Sequence, residues 1–190
     1  MHPWRDPIVA SALLAALAAP ALGAEDFQVQ VERRGELFHV NASAGIAAPL
    51  EIAWQVLTDY ERLPRFVPGI IRSDVLVRSG NRVLVEQVGE ARFLIFSFPI
   101  EIRMEVQERP RETVDSRAVS GNMRSMWGRY ELQEDAARAG VRLRYTGALE
   151  PDFALPPLIG VVALRGTIQN QFEAMVREIE RRGAAASPGR

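Results

Sequence analysis

One long amphipathic helix, predicted over residues 157–182, places the strongest requirement on the rest of the chain. Its apolar residues recur every three or four positions, which puts them on one face of a helix. The residues of this stripe are Leu158, Val161, Leu164, Ile168, Phe172, Met175 and Ile179. At 1.5 Å per residue the helix is roughly 39 Å long. An apolar stripe of that length must be buried, so the preceding chain has to supply a surface that covers it.

Segments that alternate polar and apolar residues precede this helix, as expected for half-buried β-strands. The predicted strands cover residues 27–33, 36–43, 70–78, 82–90, 92–107, 113–120, 123–133 and 141–149. Most are joined by short turns that contain glycine, which is typical of antiparallel neighbours. Pro49 and Thr58-Asp59 predict the starts of two short helices between the second and third strands. This order predicts an α+β fold in which a curved antiparallel sheet of about six to eight strands packs on the long helix.

The two ends of the chain differ in composition from this domain. Residues 1–24 contain Arg5, a short apolar run and small residues at the end, as in a secretory signal peptide. The run is shorter than the roughly 20 apolar residues of a bilayer-spanning helix, and an uncleaved N-terminal anchor is the alternative. We therefore expect a signal peptide at 1–24, with cleavage after Gly23 or Ala24, a single domain at 25–182 and a disordered tail at 183–190.

Several classes of function are excluded by the composition. The chain has no cysteine, only two histidines and no lysine, which leaves no thiolate nucleophile, no Schiff-base lysine and little basis for a metal site. A formal net charge of −1 argues against a nucleic-acid surface. We expect no cofactor and no catalytic metal. The absence of cysteine also suits an oxidising compartment, so a secreted, periplasmic location is predicted.

One segment and two strands carry a resemblance to a known family. The segment comprises Pro49, Trp54, Val56-Leu57-Thr58-Asp59-Tyr60-Glu61, Leu63-Pro64 and Phe66-Val67-Pro68. The strands contain Met126-Trp127-Gly128-Arg129-Tyr130 and Arg142-Leu143-Arg144-Tyr145. Over about residues 36–182 the chain resembles START-like (SRPBCC) proteins of the polyketide cyclase/dehydrase or coenzyme Q-binding branch. The resemblance implies a helix-grip fold with a cavity for an apolar small molecule between sheet and helix, and it implies no shared catalytic motif.

Inward-facing positions of the strands and the long helix are the candidate lining of such a cavity. The predicted ligand-binding residues are Phe96, Phe98, Ile100, Met126, Tyr130, Tyr145, Ile168, Phe172 and Met175. The hydroxyls of Tyr130 and Tyr145 are candidates for orienting a ligand, although phenols that reach out to the rim are equally consistent with the pattern. Leu63, Phe66 and Val67, with their neighbouring prolines, are candidates for an entrance flap.

Three functions are consistent with these residues. The preferred one is a secreted binding or carrier protein for a lipid, quinone or aromatic polyketide-like molecule. The alternative is a polyketide cyclase or dehydratase in which Tyr130, Tyr145 or a buried carboxylate such as Glu86 acts as acid or base. A second alternative is a lipid-interaction module that contacts membranes transiently through residues 93–96 and 155–159. The sequence gives no indication of the oligomeric state.

Overall fold

Eight strands and a C-terminal helix of 30 residues make up most of the structure, a computed structural model that describes residues 25–93, 96–153 and 157–186. The strands are β1 (Glu25–Arg34), β2 (Leu37–Ile46), β3 (Ile70–Ser79), β4 (Arg82–Phe93), β5 (Phe96–Arg109), β6 (Thr113–Gly121), β7 (Met123–Asp135) and β8 (Gly140–Pro151). The helices are α1 (Leu50–Leu57), a 3₁₀ helix (Tyr60–Arg65) and α2 (Pro157–Ala186). The signal-peptide prediction for residues 1–24 lies outside the described residues.

All eight strands belong to one antiparallel sheet, in the order β1-β2-β8-β7-β6-β5-β4-β3. Pairing of β2 with β8 joins the first hairpin to the last strand, which leaves β1 and β3 at the two edges. The concave face of this curved sheet holds α2, which packs on β1, β2, β4 and α1. The predicted helix-grip fold, with two short helices after the first strands, is therefore confirmed.

The largest difference from the predicted strands concerns the start of β5. Arg92 and Phe93 were expected at the beginning of the long strand, but they close β4 and pair with Ser97 and Phe96 of β5. Residues 94 and 95, between the two strands, lie outside the described residues. The boundary was misplaced because the apolar run at residues 93–96 contains no glycine or proline, and the alternating pattern therefore does not mark a turn.

The long helix also ends later than predicted, since α2 continues through Gly183 to Ala186. Gly183 is buried, and a β-carbon at this position would lie 2.8 Å from the Cβ of Ala48. The glycine therefore permits a close approach to the segment before α1 and does not terminate the helix. Three alanines follow it, and alanine has the highest helix propensity. The predicted disordered tail is thus helical over residues 183–186, whereas residues 187–190 lie outside the described part of the chain.

A cluster of charged side chains fixes the C-terminal part of α2. Glu178, buried to 8% exposure, accepts hydrogen bonds from the Nε atoms of Arg181 and Arg182, each at 2.7 Å. Arg182 also donates from Nη2 to Oδ2 of Asp59 at 2.8 Å, which ties α2 to the junction between α1 and the 3₁₀ helix. Hydrogen bonds from Arg181 and then Arg182 lower the pKa of Glu178 to about 2, although burial opposes this shift.

Replacing Glu178 by glutamine is expected to make the domain less sensitive to acid. A carboxyl whose pKa is lowered on folding stabilises the fold above its unfolded pKa, near 4.5, and loses that contribution as the pH falls towards 2. At neutral pH the variant should lose about 1–2 kcal/mol of unfolding free energy, since water around the exposed Arg181 weakens the pair. Urea unfolding between roughly pH 2 and pH 7 tests this window.

The matched control is Glu173→Gln, which removes an exposed carboxylate that pairs with Arg177 at 2.9 Å on the same helix. It should change the unfolding free energy by less than about 0.5 kcal/mol at any pH. Equal and pH-independent losses for Glu178→Gln and Glu173→Gln would contradict the role assigned to the buried cluster.

Candidate functional site

A cavity of about 290 Å³ lies between the inner face of the sheet and α2. Its wall is formed by strands β4 to β8, by one face of α2 and by the chain between Leu57 and Ile70. The side chains on this wall are mostly aliphatic, aromatic or methionine. The volume is at the lower end of the roughly 300–1,000 Å³ range of pockets that hold drug-sized molecules. The cavity therefore suits one small apolar ligand.

Most of the predicted ligand-binding residues meet on this wall. Eight of the nine contribute to the lining of the cavity: Phe98, Ile100, Met126, Tyr130, Tyr145, Ile168, Phe172 and Met175. The side chain of the ninth, Phe96, lies outside the described part of the structure. Strand alternation explains the arrangement on the sheet, because every second residue of β5, β7 and β8 faces α2. That these residues bind a ligand stays a prediction.

Other lining residues were not predicted, and their sequence signals differ. Val85 and Gln87 occupy the inner face of β4, which the alternation of that strand could have revealed. Phe153 stacks on Phe98 with ring centroids 5.1 Å apart, but it follows the last strand and belongs to no periodic pattern. Tyr60 reaches the cavity from the 3₁₀ helix, where its position depends on tertiary packing.

Tyr130 and Tyr145 stand directly opposite each other on β7 and β8, with ring centroids 4.7 Å apart. Both phenols line the cavity. Neither hydroxyl has a hydrogen-bond partner among the residues that the structure describes. Burial raises the pKa of Tyr130 and raises that of Tyr145 to about 12, which keeps both phenols protonated at neutral pH. The two hydroxyls are thus available to a ligand as donors and acceptors.

Two glycines create the space that the Tyr145 ring occupies. Gly128 and Gly147 pair with each other across β7 and β8, on the same inner face as this ring. A β-carbon on Gly128 would lie 2.5 Å from the Tyr145 hydroxyl oxygen, and one on Gly147 would lie 2.7 Å from it. Only glycine at both positions lets the phenol lie close against the sheet.

The third tyrosine has a different environment, because its hydroxyl is already engaged. Tyr60 donates to Oε1 of Glu108 at 2.9 Å, and Arg78 donates to Oε2 of the same carboxylate at 3.0 Å. Glu108 is only 7% exposed, and burial, followed by the charge of Glu108, raises the pKa of Tyr60. This network joins the 3₁₀ helix to β3 and β5. It stabilises the wall of the cavity, and it uses the one proton that the Tyr60 hydroxyl could donate to a ligand.

The structure contradicts the interpretation of Glu86 as a buried acid or base. Glu86 lies on the outer face of β4 and accepts hydrogen bonds from Arg103 Nε at 2.7 Å and Arg72 Nη2 at 3.0 Å. These hydrogen bonds, the one from Arg103 first, lower its pKa. Its neighbours Val85 and Gln87 face the cavity, so strand alternation turns Glu86 away from it.

The segment predicted as an entrance flap forms part of the cavity wall. Leu63 and Val67 are buried in the core. Gln171 of α2 donates from Nε2 to the carbonyl oxygen of Pro68 at 3.1 Å, and the backbone N–H of Glu90 donates to the carbonyl of Gly69 at 2.8 Å. The segment is thus attached to both the helix and the sheet in this structure, and an opening motion stays a prediction.

Two apolar segments, residues 93–96 and 155–159, suggested membrane contact. The structure describes no side chain between residues 92 and 96 or between residues 154 and 159, so the side chains of both segments lie outside it. In the N-terminal half of α2, Val162 is 62% exposed. Within the described chain, no helix combines the length and the apolar character needed to cross a bilayer.

Comparisons with known proteins agree with this architecture. The family model described as "Polyketide cyclase / dehydrase and lipid transport" matches residues 46–176. A sequence comparison with curated proteins gives no match.

Among solved structures, the Zhui aromatase/cyclase from Streptomyces sp. R1128 is similar with a TM-score of 0.66 and 18% identity, over 80% of this chain and 98% of that one. A STAR-related lipid transfer protein from Xanthomonas axonopodis gives a TM-score of 0.66 and 16% identity, over 83% and 95% of the two chains. A START superfamily protein from Mycobacterium smegmatis gives 0.60 and 15%, over 78% and 99%. At these identities the structural similarity establishes the fold alone.

The family match covers well over half of the chain and includes the 3₁₀ helix, strands β3 to β8 and most of α2. Together with the helix-grip architecture, it confirms the family that the sequence resembles. The chain belongs to the polyketide cyclase/dehydrase and lipid transport family of START-like proteins.

Proposed function

We propose that this protein is a secreted, periplasmic carrier that holds one apolar small molecule between its sheet and α2. Family and fold support either hydrophobic-ligand binding or a polyketide cyclase-like function. The observation that carries the proposal is the cavity of about 290 Å³ with its mostly apolar wall. A ligand in this place is held by burial of its apolar surface, without covalent chemistry.

Burial of apolar surface supplies enough free energy for useful binding. Removing about 400 Å² of ligand surface from water at ~25 cal/mol/Å² gives roughly 10 kcal/mol. Association and the ordering of side chains oppose this gain by several kcal/mol, so roughly 5–6 kcal/mol remains, which corresponds to a Kd of tens to hundreds of micromolar.

The polar side chains on the wall favour binding over catalysis. Among the described lining residues, Glu90 is the only carboxylate, and it accepts a hydrogen bond from the Ser97 hydroxyl at 2.9 Å. Tyr130 and Tyr145 have raised pKa values, so they are hydrogen-bonding groups at neutral pH and not bases. A general base aimed at a ligand beside the two phenols is missing from the described lining.

Protein purified from its native host is expected to carry an apolar molecule that native mass spectrometry detects. Met126→Trp, which adds bulk inside the cavity, should reduce the bound fraction at least about tenfold while the protein still folds. The control is Trp127→Met, which changes the exposed neighbour on the opposite face of the same strand and should leave the bound fraction unchanged. Consistently empty wild-type protein that also takes up no fluorescent apolar probe would refute the carrier function.

Secretion is tested separately by expressing the full chain in a bacterial host and fractionating the cells. A secreted protein should be found in the periplasmic fraction. Its N-terminal residue should be Ala24 or Glu25, because signal peptidase has removed the residues before it. Retention in the cytoplasm with residue 1 or 2 at the N-terminus would contradict it.

A cyclase or dehydratase is the second candidate, and the unpartnered hydroxyls of Tyr130 and Tyr145 favour it. Phenols that remain protonated can donate hydrogen bonds to a ligand carbonyl and polarise it. With a polyketide-like substrate, Tyr130→Phe and Tyr145→Phe should each lower any detected turnover by about tenfold or more. Unchanged turnover in both variants would remove the phenols from the mechanism.

Transient membrane contact is the remaining part of the proposal, and the exposed Val162 beside the cavity-lining Ala163 and Leu164 supports it. Such a contact would let an apolar ligand pass between the bilayer and the cavity without crossing water. Co-sedimentation of the domain with neutral and with anionic liposomes tests the contact, and recovery of all protein in the supernatant would disprove it.

A further inference from the structure

The described wall of the cavity carries no positively charged side chain. Among the described lining residues there is no arginine, lysine or histidine. Arg103 and Arg117 pair with Glu86 and Glu105 on the outer face of the sheet. Arg78 lies near the lining residue Tyr60, but it does not line the cavity and is paired with the buried Glu108. An anionic head group inside this cavity would therefore lack a counter-charge and would have lost its water. Burying an unpaired charge is strongly unfavourable, so the wall discriminates against carboxylates and phosphates.

The same wall does offer uncharged hydrogen-bonding groups. Gln87, Ser116 and Gln171 already donate to protein oxygens, whereas the hydroxyls of two adjacent tyrosines do not. Tyr145 lies near the middle of β8. Pro151, the last residue of this strand, is six residues further on, which is about 20 Å at 3.4 Å per residue. Tyr130 faces it at a ring distance of 4.7 Å, and both hydroxyls are without a partner among the described residues. Both tyrosines are only partly buried, and no fully buried side-chain oxygen of the described residues lacks a partner, so these hydroxyls open into the cavity, where a ligand oxygen can bond to them. The phenols can donate to a carbonyl and can also accept from an alcohol.

We infer that the cavity selects an uncharged, largely apolar molecule with a carbonyl or hydroxyl oxygen, and that this oxygen binds at the hydroxyls of Tyr130 and Tyr145. This inference rests on the proposed ligand-binding function and specifies its ligand class. Compact alcohols and aromatic ketones satisfy these requirements, whereas fatty-acid anions and phospholipid head groups do not. The small volume of the cavity agrees with a single compact molecule.

Three fluorescent probes with the same ring system separate charge from hydrogen bonding. Anthracenemethanol carries a hydroxyl, methylanthracene carries none, and anthracenecarboxylic acid is ionised at about pH 7.5. In fluorescence titrations of the wild-type domain, the alcohol should bind about fivefold or more tightly than methylanthracene, as expected for one satisfied buried hydrogen bond. The ionised acid should bind at least about 100-fold more weakly than the alcohol.

Variants then assign the effect to the two phenols. Tyr130→Phe, Tyr145→Phe and the double variant keep the ring volumes and remove the hydroxyls. The double variant should bind the alcohol no more tightly than methylanthracene, while the affinity for methylanthracene changes less than about twofold. The control is Ser116→Ala, which removes a lining hydroxyl that already donates to the carbonyl of Gly128 at 3.2 Å. Ser116→Ala should keep the wild-type preference for the alcohol.

The wild-type titrations decide the inference even if a variant fails to fold. Equal or tighter binding of the ionised acid would overturn it, and so would a preference for the alcohol that survives in the double variant. Binding of none of the three probes would contradict the proposed function itself. Binding of all three with the same affinity would keep the carrier function and reject the selection of an uncharged, oxygen-bearing ligand.

Discussion

Replacing Phe172 by alanine is expected to lower the free energy of unfolding by about 3–5 kcal/mol, because a large aromatic side chain is removed from the core. Phe172 is 3% exposed and packs on Phe27 of β1 with ring centroids 5.6 Å apart. It also lines the cavity. The substitution therefore disconnects α2 from the edge strand and enlarges the cavity at the same time. Unfolding in urea, followed by circular dichroism, measures the loss.

The matched control is Arg177→Ala, five residues further along the same helix. Arg177 is exposed, and its one ion-pair partner among the described residues is Glu173, at 2.9 Å, so its removal should change the unfolding free energy by less than about 0.5 kcal/mol. A loss below about 1 kcal/mol for Phe172→Ala would show that α2 does not depend on its apolar face, contrary to the packing described above.

Arg78→Met is expected to cost about 2–3 kcal/mol, because it leaves the buried carboxylate of Glu108 without its positive partner. Glu108 keeps only the hydrogen bond from Tyr60, at 2.9 Å. The effect should be smaller than for a fully buried pair, since the Arg78 side chain is 43% exposed and water reaches it. Thermal and urea unfolding of the variant provide the measurement.

An exposed pair on the same sheet serves as the control for this change. Arg117 pairs with Glu105 at 3.3 Å, and the Glu105 side chain is 63% exposed. Arg117→Met should therefore cost no more than about 1 kcal/mol. If Arg117→Met and Arg78→Met were equally destabilising, the burial of Glu108 would not be the cause. The double variant Arg78→Met/Glu108→Gln should recover part of the loss, because it removes the unpaired charge.

The fold could be predicted from the sequence because two independent periodicities agree. The 3.6-residue repeat of α2 requires a long apolar partner, and the two-residue repeat of the strands supplies one. The turns containing Gly35, Gly80 and Gly121 mark strand ends, and all three glycines adopt positive φ angles that favour this residue. The end of β4 at Phe93 was missed because both faces of the chain are apolar there. Continuous apolarity does not show where one strand ends and the next begins.

The site could be predicted only as far as it follows from strand and helix alternation. Phe98, Ile100 and Phe172 reach the cavity because each lies on the buried face of its own element. The contact between Tyr60 and Glu108 joins residues 48 positions apart, and no local pattern encodes it. Glu86 was chosen for its charge alone, although the apolar Val85 beside it already indicated that position 86 faces outward.

The glycine pair beneath Tyr145 also bears on how ligand preference can change during evolution. The three atoms nearest to a methyl group at position 128 would all belong to the Tyr145 side chain, the closest at 2.5 Å, so the phenol would have to shift. At position 147 the same methyl group would also meet the backbone oxygen of Trp127 at 2.7 Å, which disturbs the sheet itself. Gly128 is therefore a position at which one codon change can displace one of the two phenols, and so alter the hydrogen bonding in the cavity, while its nearest clash is with a side chain and not with the sheet backbone.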